Sequence, residues 1–196
     1  GGYAILKNKK TLLAMDIGNS PNRHFSMDYQ SGAMSFEIFS NGKKLICNCG
    51  YYQNKNVKLK QLSKTTATHS TLIIDNSSSC KFKKIDRKNF ILDNDLKILK
   101  KKIIFEKNYW KIQASHNGYQ NKYNSIHERE IQFHVDQNKF IGIDKIINKK
   151  TNLNIRFDIR FHLEPSIKLM KTQNNKTILI ELDDEGWKFT CDKFDI

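Results

Sequence analysis

The chain has 196 residues, and 34 Lys and Arg against 20 Asp and Glu give it a formal net charge of +14. That length suits a single domain, residues 1–196, with a substantial buried core. No apolar run approaches the ~20 residues that span a bilayer as a helix, so a membrane partner is not expected, and no signal peptide is expected ahead of Gly1. Lysine carries most of the charge, with Arg at only Arg23, Arg87, Arg129, Arg156 and Arg160. A Lys- and Asn-heavy composition is also what an AT-rich genome writes. A basic surface nevertheless attracts polyanions, acidic polysaccharide and nucleic acid alike. No RRM, KH or helix-turn-helix pattern accompanies it, so nucleic acid is not the expected partner.

In chain order, almost every segment alternates apolar and polar residues with period two. Residues 3–6 and 11–17 flank the polar turn Lys7-Asn8-Lys9-Lys10 and read as a hairpin. Residues 33–40 and 43–48 flank Asn41-Gly42, a two-residue turn in which both positions need positive φ. One short helical turn is expected over residues 57–63. Strands follow at 71–74, 96–106, 110–115, 126–135 and 140–147, then at 167–171, 177–182 and 187–191. Residues 153–163 form the clearest strand, with Ile155, Phe157, Ile159, Phe161 and Leu163 on one face. Turns are expected at Asp136–Lys139, Gln173–Lys176 and Asp183–Gly186. Many short strands without helical crossovers predict an all-β antiparallel sandwich with little or no helix.

Cys47, Cys49, Cys80 and Cys191 contain no C-x-x-C pair, so a cysteine-based zinc site is not expected. Cys47 and Cys49, two apart on a predicted strand, point the same way and are poorly placed for a mutual disulfide. The exposed lysine pairs suit edge strands and turns, where charge discourages edge-to-edge association. Tyr51, Tyr52, Trp110, Tyr119 and Tyr123 are candidate stacking platforms for sugar rings, with core packing as the alternative.

The segments GGYAILKNKKTLLAMDIG, FSMDYQSGAMSFEIFSNGKKLICNCG, TTATHSTLIID, WKIQASHNGY, IHEREIQF, IRFHLEP and GWKFT, in this order, resemble the C-terminal sheet domain of the heparinase II/III family of polysaccharide lyases. The resemblance implies a supersandwich-like β-domain. Members pair it with an N-terminal helical toroid, which this chain looks to lack. It also implies β-elimination on uronic-acid polysaccharides, a reaction that must neutralise a carboxylate, remove a weakly acidic carbon-bound proton and protonate the leaving oxygen.

The family's sandwich histidine aligns with Gln30, and its metal ligands with Gly32, Asn48 and His69. Only His69 retains a ligand-type side chain, so no bound zinc or other cofactor is expected. Gln30, at the catalytic position, can clamp a sugar or carboxylate but cannot shuttle a proton near neutral pH. His69, Asn48, Tyr29 and His116 are the binding candidates. His24 is expected in a solvated loop, and His127, His134 and His162 at solvent-facing sheet positions.

The expected partners are an acidic polysaccharide or oligosaccharide and the toroid of the same protein. The chain alone is expected to be inactive, and a non-catalytic glycan-binding or interaction domain is the alternative. The family suggests a bacterial periplasmic or cell-envelope setting.

Overall fold

The computed structural model describes residues 2–52, 56–148, 154–172 and 176–191. It is an all-β antiparallel sandwich. Its first layer is a five-stranded sheet of β1 (Tyr3–Lys7), β2 (Thr11–Asp16), β3 (Phe36–Ser40), β4 (Lys43–Cys47) and β13 (His162–Leu163), in the order β1-β2-β3-β4-β13. The turn between β3 and β4 has Asn41 at φ 46° and Gly42 at φ 79°, the geometry that Asn-Gly favours.

The second layer has the order β11-β10-β9-β8, built from β8 (Ile98–Phe105), β9 (Trp110–His116), β10 (Ser125–His134) and β11 (Lys139–Asn148). Three smaller sheets complete the chain. They comprise β5 (Leu72–Ile74) with β12 (Phe157–Ile159), β6 (Phe82–Lys84) with β7 (Phe90–Leu92), and β14 (Lys168–Lys171), β15 (Thr177–Leu182) and β16 (Glu185–Thr190) in that order. Two short helices, α1 (Val57–Ser63) and α2 (Gln120–Tyr123), sit in connections.

Alternation decides which side chains enter the core. Ala4, Leu6, Leu13, Met15, Phe36 and Ile38 point inward from the first layer and meet Ile112, Ala114, Ile131 and Phe133 of the second, with Ile180 and Leu182 joining from β15. Complete burial of such side chains contributes ~1.5–3 kcal/mol each, so this shared core is the main force between the layers. Phe133 and Phe140 stack within it at 4.5 Å. Trp110 packs edge-on to Phe133, and Tyr119 is buried with its hydroxyl donating to the Leu72 carbonyl; both serve the interior and not a sugar platform.

The expected strand over 153–163 is divided, with residue 153 outside the described residues. Phe157–Ile159 pairs with β5, whereas His162–Leu163 pairs with β4 of the five-stranded sheet. The alternation is real, but the chain changes sheet at Arg160 and Phe161, so two partners share one periodic segment. Sequence reading also missed β6, β7 and α2, each only three or four residues long. The expected turn at 173–176 falls largely outside the described residues. All four cysteines are free, and Cys49 lies beyond the end of β4 instead of on it.

Candidate functional site

The outer face of the first layer carries the cleft. Because Ala4, Met15 and Phe36 point inward, their neighbours Tyr3, Ala14, Asp16 and Glu37 point outward and form its floor. Tyr3 pairs with Asp16 across β1 and β2, and Ala14 pairs with Glu37 across β2 and β3. The walls come from Asp28, Tyr29, Gln30, Gly32 and Ser35 of the segment before β3, and from Asn48, Gly50 and His69 of the segments after β4. The volume of the cleft is about 510 Å³.

Two buried cations hold the loop that supplies Gln30. Lys64 is 1% exposed; its ammonium donates to the carbonyls of Met27 and Tyr29 and lies 4.9 Å from the Phe82 ring centre. Burial pushes its pKa down to about 8. At the other end, Arg129 of β10 donates from Nη1 to the carbonyls of Met34 and Ser70, both at 2.9 Å. These carbonyls lie two residues after Gly32 and one after His69. Arg129 therefore reaches from the second layer to fix both walls of the cleft.

His69 follows the 3-10 turn Thr66–Thr68 and is 3% exposed. Its Nδ1 lies 2.9 Å from the Thr65 carbonyl, an acceptor, so the proton sits on Nδ1 and the Nε2 lone pair is directed into the cleft. Burial lowers its pKa below the ordinary histidine range, which favours this neutral form. Gln30 Oε1 stands 3.4 Å from that Nε2, while Gln30 Nε2 donates to the Gly50 carbonyl at 2.8 Å. Asn48 Oδ1 accepts from the Ser70 N–H at 2.8 Å, and its own N–H donates to Glu37 Oε1.

Asp16 accepts from the Gly18 N–H at 2.9 Å, yet burial still raises its pKa to about 6. Asp16, Asp28 and Glu37 were missed in the sequence. The available signal was the outward phase of the strand in LLAMD, which places Ala14 and Asp16 on one face.

The structure brings Gln30, Asn48, Tyr29 and His69 together at this cleft. Tyr29 only partly belongs to it. Its ring packs with Cys80, Leu92 and Leu96, its hydroxyl is buried against the Cys80 thiol, and burial drives the phenol pKa far upward. His116 is elsewhere, 1% exposed on the inner side of β9. Its Nδ1 accepts from the Gly118 N–H at 3.0 Å, and its Nε2 meets His127 Nδ1 at 3.3 Å.

His127 is completely buried and not solvent-facing as expected, because β10 turns Ser125, His127, Arg129, Ile131 and Phe133 inward together. His127 Nε2 reaches Asp144 Oδ1 at 2.6 Å, and Arg129 binds both oxygens of the same carboxylate at 2.8 and 3.0 Å. Burial alone would raise Asp144, but Arg129 and His127 hold its carboxyl well below the usual range. His162 also departs from expectation: it is half-buried, with Nε2 3.0 Å from the Ala67 carbonyl. His134 is half-buried beside Gln132 and Tyr109. His24 is exposed.

The residues present do not fit the metal set that the resemblance implies. A Cβ on Gly32 would lie 2.8 Å from His69 Cδ2, so the imidazole occupies the space a side chain there would need. The Asn48 amide oxygen is already engaged by Ser70. Among the described residues, no group of three His, Cys, Asp or Glu side chains is arranged to hold an ion.

Fold and site together define an all-β sandwich domain with a polar cleft on its outer sheet face. The chain belongs to the heparinase II/III-like C-terminal family, whose model matches residues 1–195. Solved structures share the fold. "Heparinase III-BT4657 gene product" has a TM-score of 0.69 at 17% identity, covering 95% of this chain and 27% of that one. Heparan sulfate lyase HepC from Pedobacter heparinus has a TM-score of 0.68 at 19% identity, covering 93% of this chain and 26% of that one. A further heparinase III structure has a TM-score of 0.66 at 18% identity, covering 93% and 27%. This chain thus spans about a quarter of the length of these neighbours. No curated protein matches it significantly.

Proposed function

We propose that this chain is the sandwich domain of a polysaccharide lyase, in which its cleft forms one wall of the site for an acidic, uronic-acid polysaccharide. The observation that carries this reading is the convergence of Gln30, Asn48 and His69, distant in sequence, on one cleft of about 510 Å³. That volume lies within the ~300–1,000 Å³ typical of ligand pockets. Neutral His69 offers Nε2 to accept a proton or hydrogen bond from a sugar. Gln30, tied to the Gly50 carbonyl, orients a polar group beside it. The remaining acid and base groups of β-elimination would come from a helical partner domain, so the chain alone is inactive in this scheme. Incubating the protein together with such a domain and a panel of uronate polysaccharides tests it. Unsaturated product absorbing in the ultraviolet is expected, and no product from any substrate with folded protein removes the enzymatic role.

A second reading, a non-catalytic glycan-binding or interaction domain, draws support from one specific feature. The amide of Gln30 stands where the family resemblance calls for an imidazole, and an amide cannot carry a proton. Gln30→His in the full-length protein separates the readings. A gain of lyase activity means that only this imidazole was missing, whereas glycan binding without turnover in either form favours the second reading.

A further inference from the structure

The cleft presents acceptors that no donor among the described residues answers. His69 Nε2 and Gln30 Oε1 face each other at 3.4 Å. With the imidazole proton committed to the Thr65 carbonyl, no hydrogen lies between them. Flipping the Gln30 amide is disfavoured, because its nitrogen donates to the Gly50 carbonyl.

On the floor, half-buried Asp16 has its hydrogen bond from Gly18 and, among the described residues, no ion-pair partner. Among the described residues, no Lys or Arg lines the cleft. Lys44 lies 3.5 Å from Glu37 and offsets that charge from the solvent side. Lys60 and Lys64 act on the neighbourhood of Asp28 from outside the lining. Among the described residues, the charge of Asp16 is left without a cation.

We infer that this wall of the cleft receives the free amine of an amino sugar, with its neighbouring hydroxyls, and not the carboxylate of a uronic acid. This rests on the polysaccharide reading above and specifies which sugar meets the sandwich. An ammonium carries three donors and no acceptor, so it matches His69 Nε2 and Gln30 Oε1, with the Asp16 carboxylate lining the same cleft. A carboxylate brings only acceptors and would add its charge to that of Asp16. The acidic sugar of the same polymer then lies against another part of the protein. N-acetylation would remove the charge and leave the amine nitrogen a single donor.

The test titrates the chain, at roughly physiological salt where long-range attraction is screened, with three probes. These are a glucosamine tetramer with free amines, its N-acetylated counterpart and a tetramer of uronic acid. Binding is followed through the His69 imidazole resonances. The free-amine tetramer is expected to shift those resonances and to bind about tenfold more tightly than the acetylated one, a ratio that charge-assisted hydrogen bonds supply. Asp16→Asn, which keeps the acceptor for Gly18, should erase that preference, and Gln30→Leu should weaken the free-amine tetramer independently.

Equal binding of the amine and acetylated tetramers overturns the inference, as does uronate shifting His69 most strongly. If uronate binds and reaches His69 while Asp16→Asn changes nothing, the amine assignment fails and the polysaccharide reading stands. If no sugar binds the folded chain, the inference fails, and product release with the helical partner domain present remains the separate test of the polysaccharide reading.

Discussion

Two parts of this molecule are built from the same side chains and have opposite characters. In the second layer, a buried chain of hydrogen bonds runs from the Gly118 N–H through His116 and His127 to Asp144, where Arg129 closes it and reaches on to the Met34 and Ser70 carbonyls. Every polar group along it has a partner, and the carboxylate is matched by a guanidinium. In the cleft, among the described residues, His69 and Gln30 leave an imidazole nitrogen and an amide oxygen without a donor, and Asp16 has no cation for its charge. The comparison teaches that a His and a carboxylate do not by themselves mark a site. Saturation marks structure, and unmet hydrogen-bonding capacity open to a cleft marks a candidate for binding.

The sharpest way to break the comparison is to unsaturate the buried network. Arg129→Met leaves Asp144 without its main partner and orphans the Met34 and Ser70 carbonyls. Removing one member of a buried ion pair costs about 3–5 kcal/mol. Denaturant titration is expected to register that loss, which exceeds the cost of any single change in the cleft. A change below about 1 kcal/mol would mean that the network is not the strut described, since surface-level substitutions fall near that size. Gln30→Leu in the cleft, by contrast, is expected to cost no more than about 1 kcal/mol, the net worth of one hydrogen bond.

A smaller effect is expected where the cleft is close-packed. A methyl group on Gly32 would meet His69 Cδ2 at 2.8 Å and Ser35 Oγ at 3.1 Å. Gly32→Ala must therefore displace the imidazole from its bond to Thr65, at a cost of about 1–3 kcal/mol, the usual range for overpacking. The His69 ring resonances should move while those of His116 and His127 stay put. If His69 is unmoved, the contact that excludes a ligand side chain at position 32 is softer than the backbone implies.

The elements legible in the sequence are those where a single pattern had a single partner. Asn41-Gly42 announced its turn, and the strands of both main layers follow period two. The segment containing Phe157, Phe161 and Leu163 misled because unbroken alternation says nothing about a change of pairing partner at Arg160. In IHEREIQF the residues His127, Arg129, Ile131 and Phe133 share a phase whose charged members suggest solvent. The apolar members of that phase were the better guide, since Asp144, directly across from Arg129 in the neighbouring strand, supplies the counter-charge that permits burial. For the cleft, the family resemblance pointed to Gln30, Asn48 and His69. Asp16 was not legible, because its importance depends on desolvation and on having no cation beside it among the described residues, neither of which a sequence displays.

The finest test concerns Asp16 itself. Its folded pKa of about 6 lies above the ordinary 3.8, so the folded chain holds this proton more tightly than the unfolded chain does. Well below the unfolded value both states are protonated, and the group has its most favourable effect on folding. Between about pH 4 and 6 the unfolded state ionises first, and stability falls by an amount that is complete above about pH 6. A shift of this size corresponds to at most about 3 kcal/mol, which partial solvation of the side chain reduces to about 1–2 kcal/mol. Asp16→Asn keeps the oxygen that accepts from Gly18 and removes the ionisation. The variant should therefore come close to the parent near about pH 4 and exceed it by about 1–2 kcal/mol at about pH 7, as read from denaturant midpoints across that range. A uniform gain at every pH would mean packing, not charge, and a loss near neutral pH would mean that a cation compensates Asp16 after all. The pH-dependent gain is what an unmatched carboxylate requires. It would place the energetic cost of the cleft on the same residue that distinguishes it from the saturated network behind it.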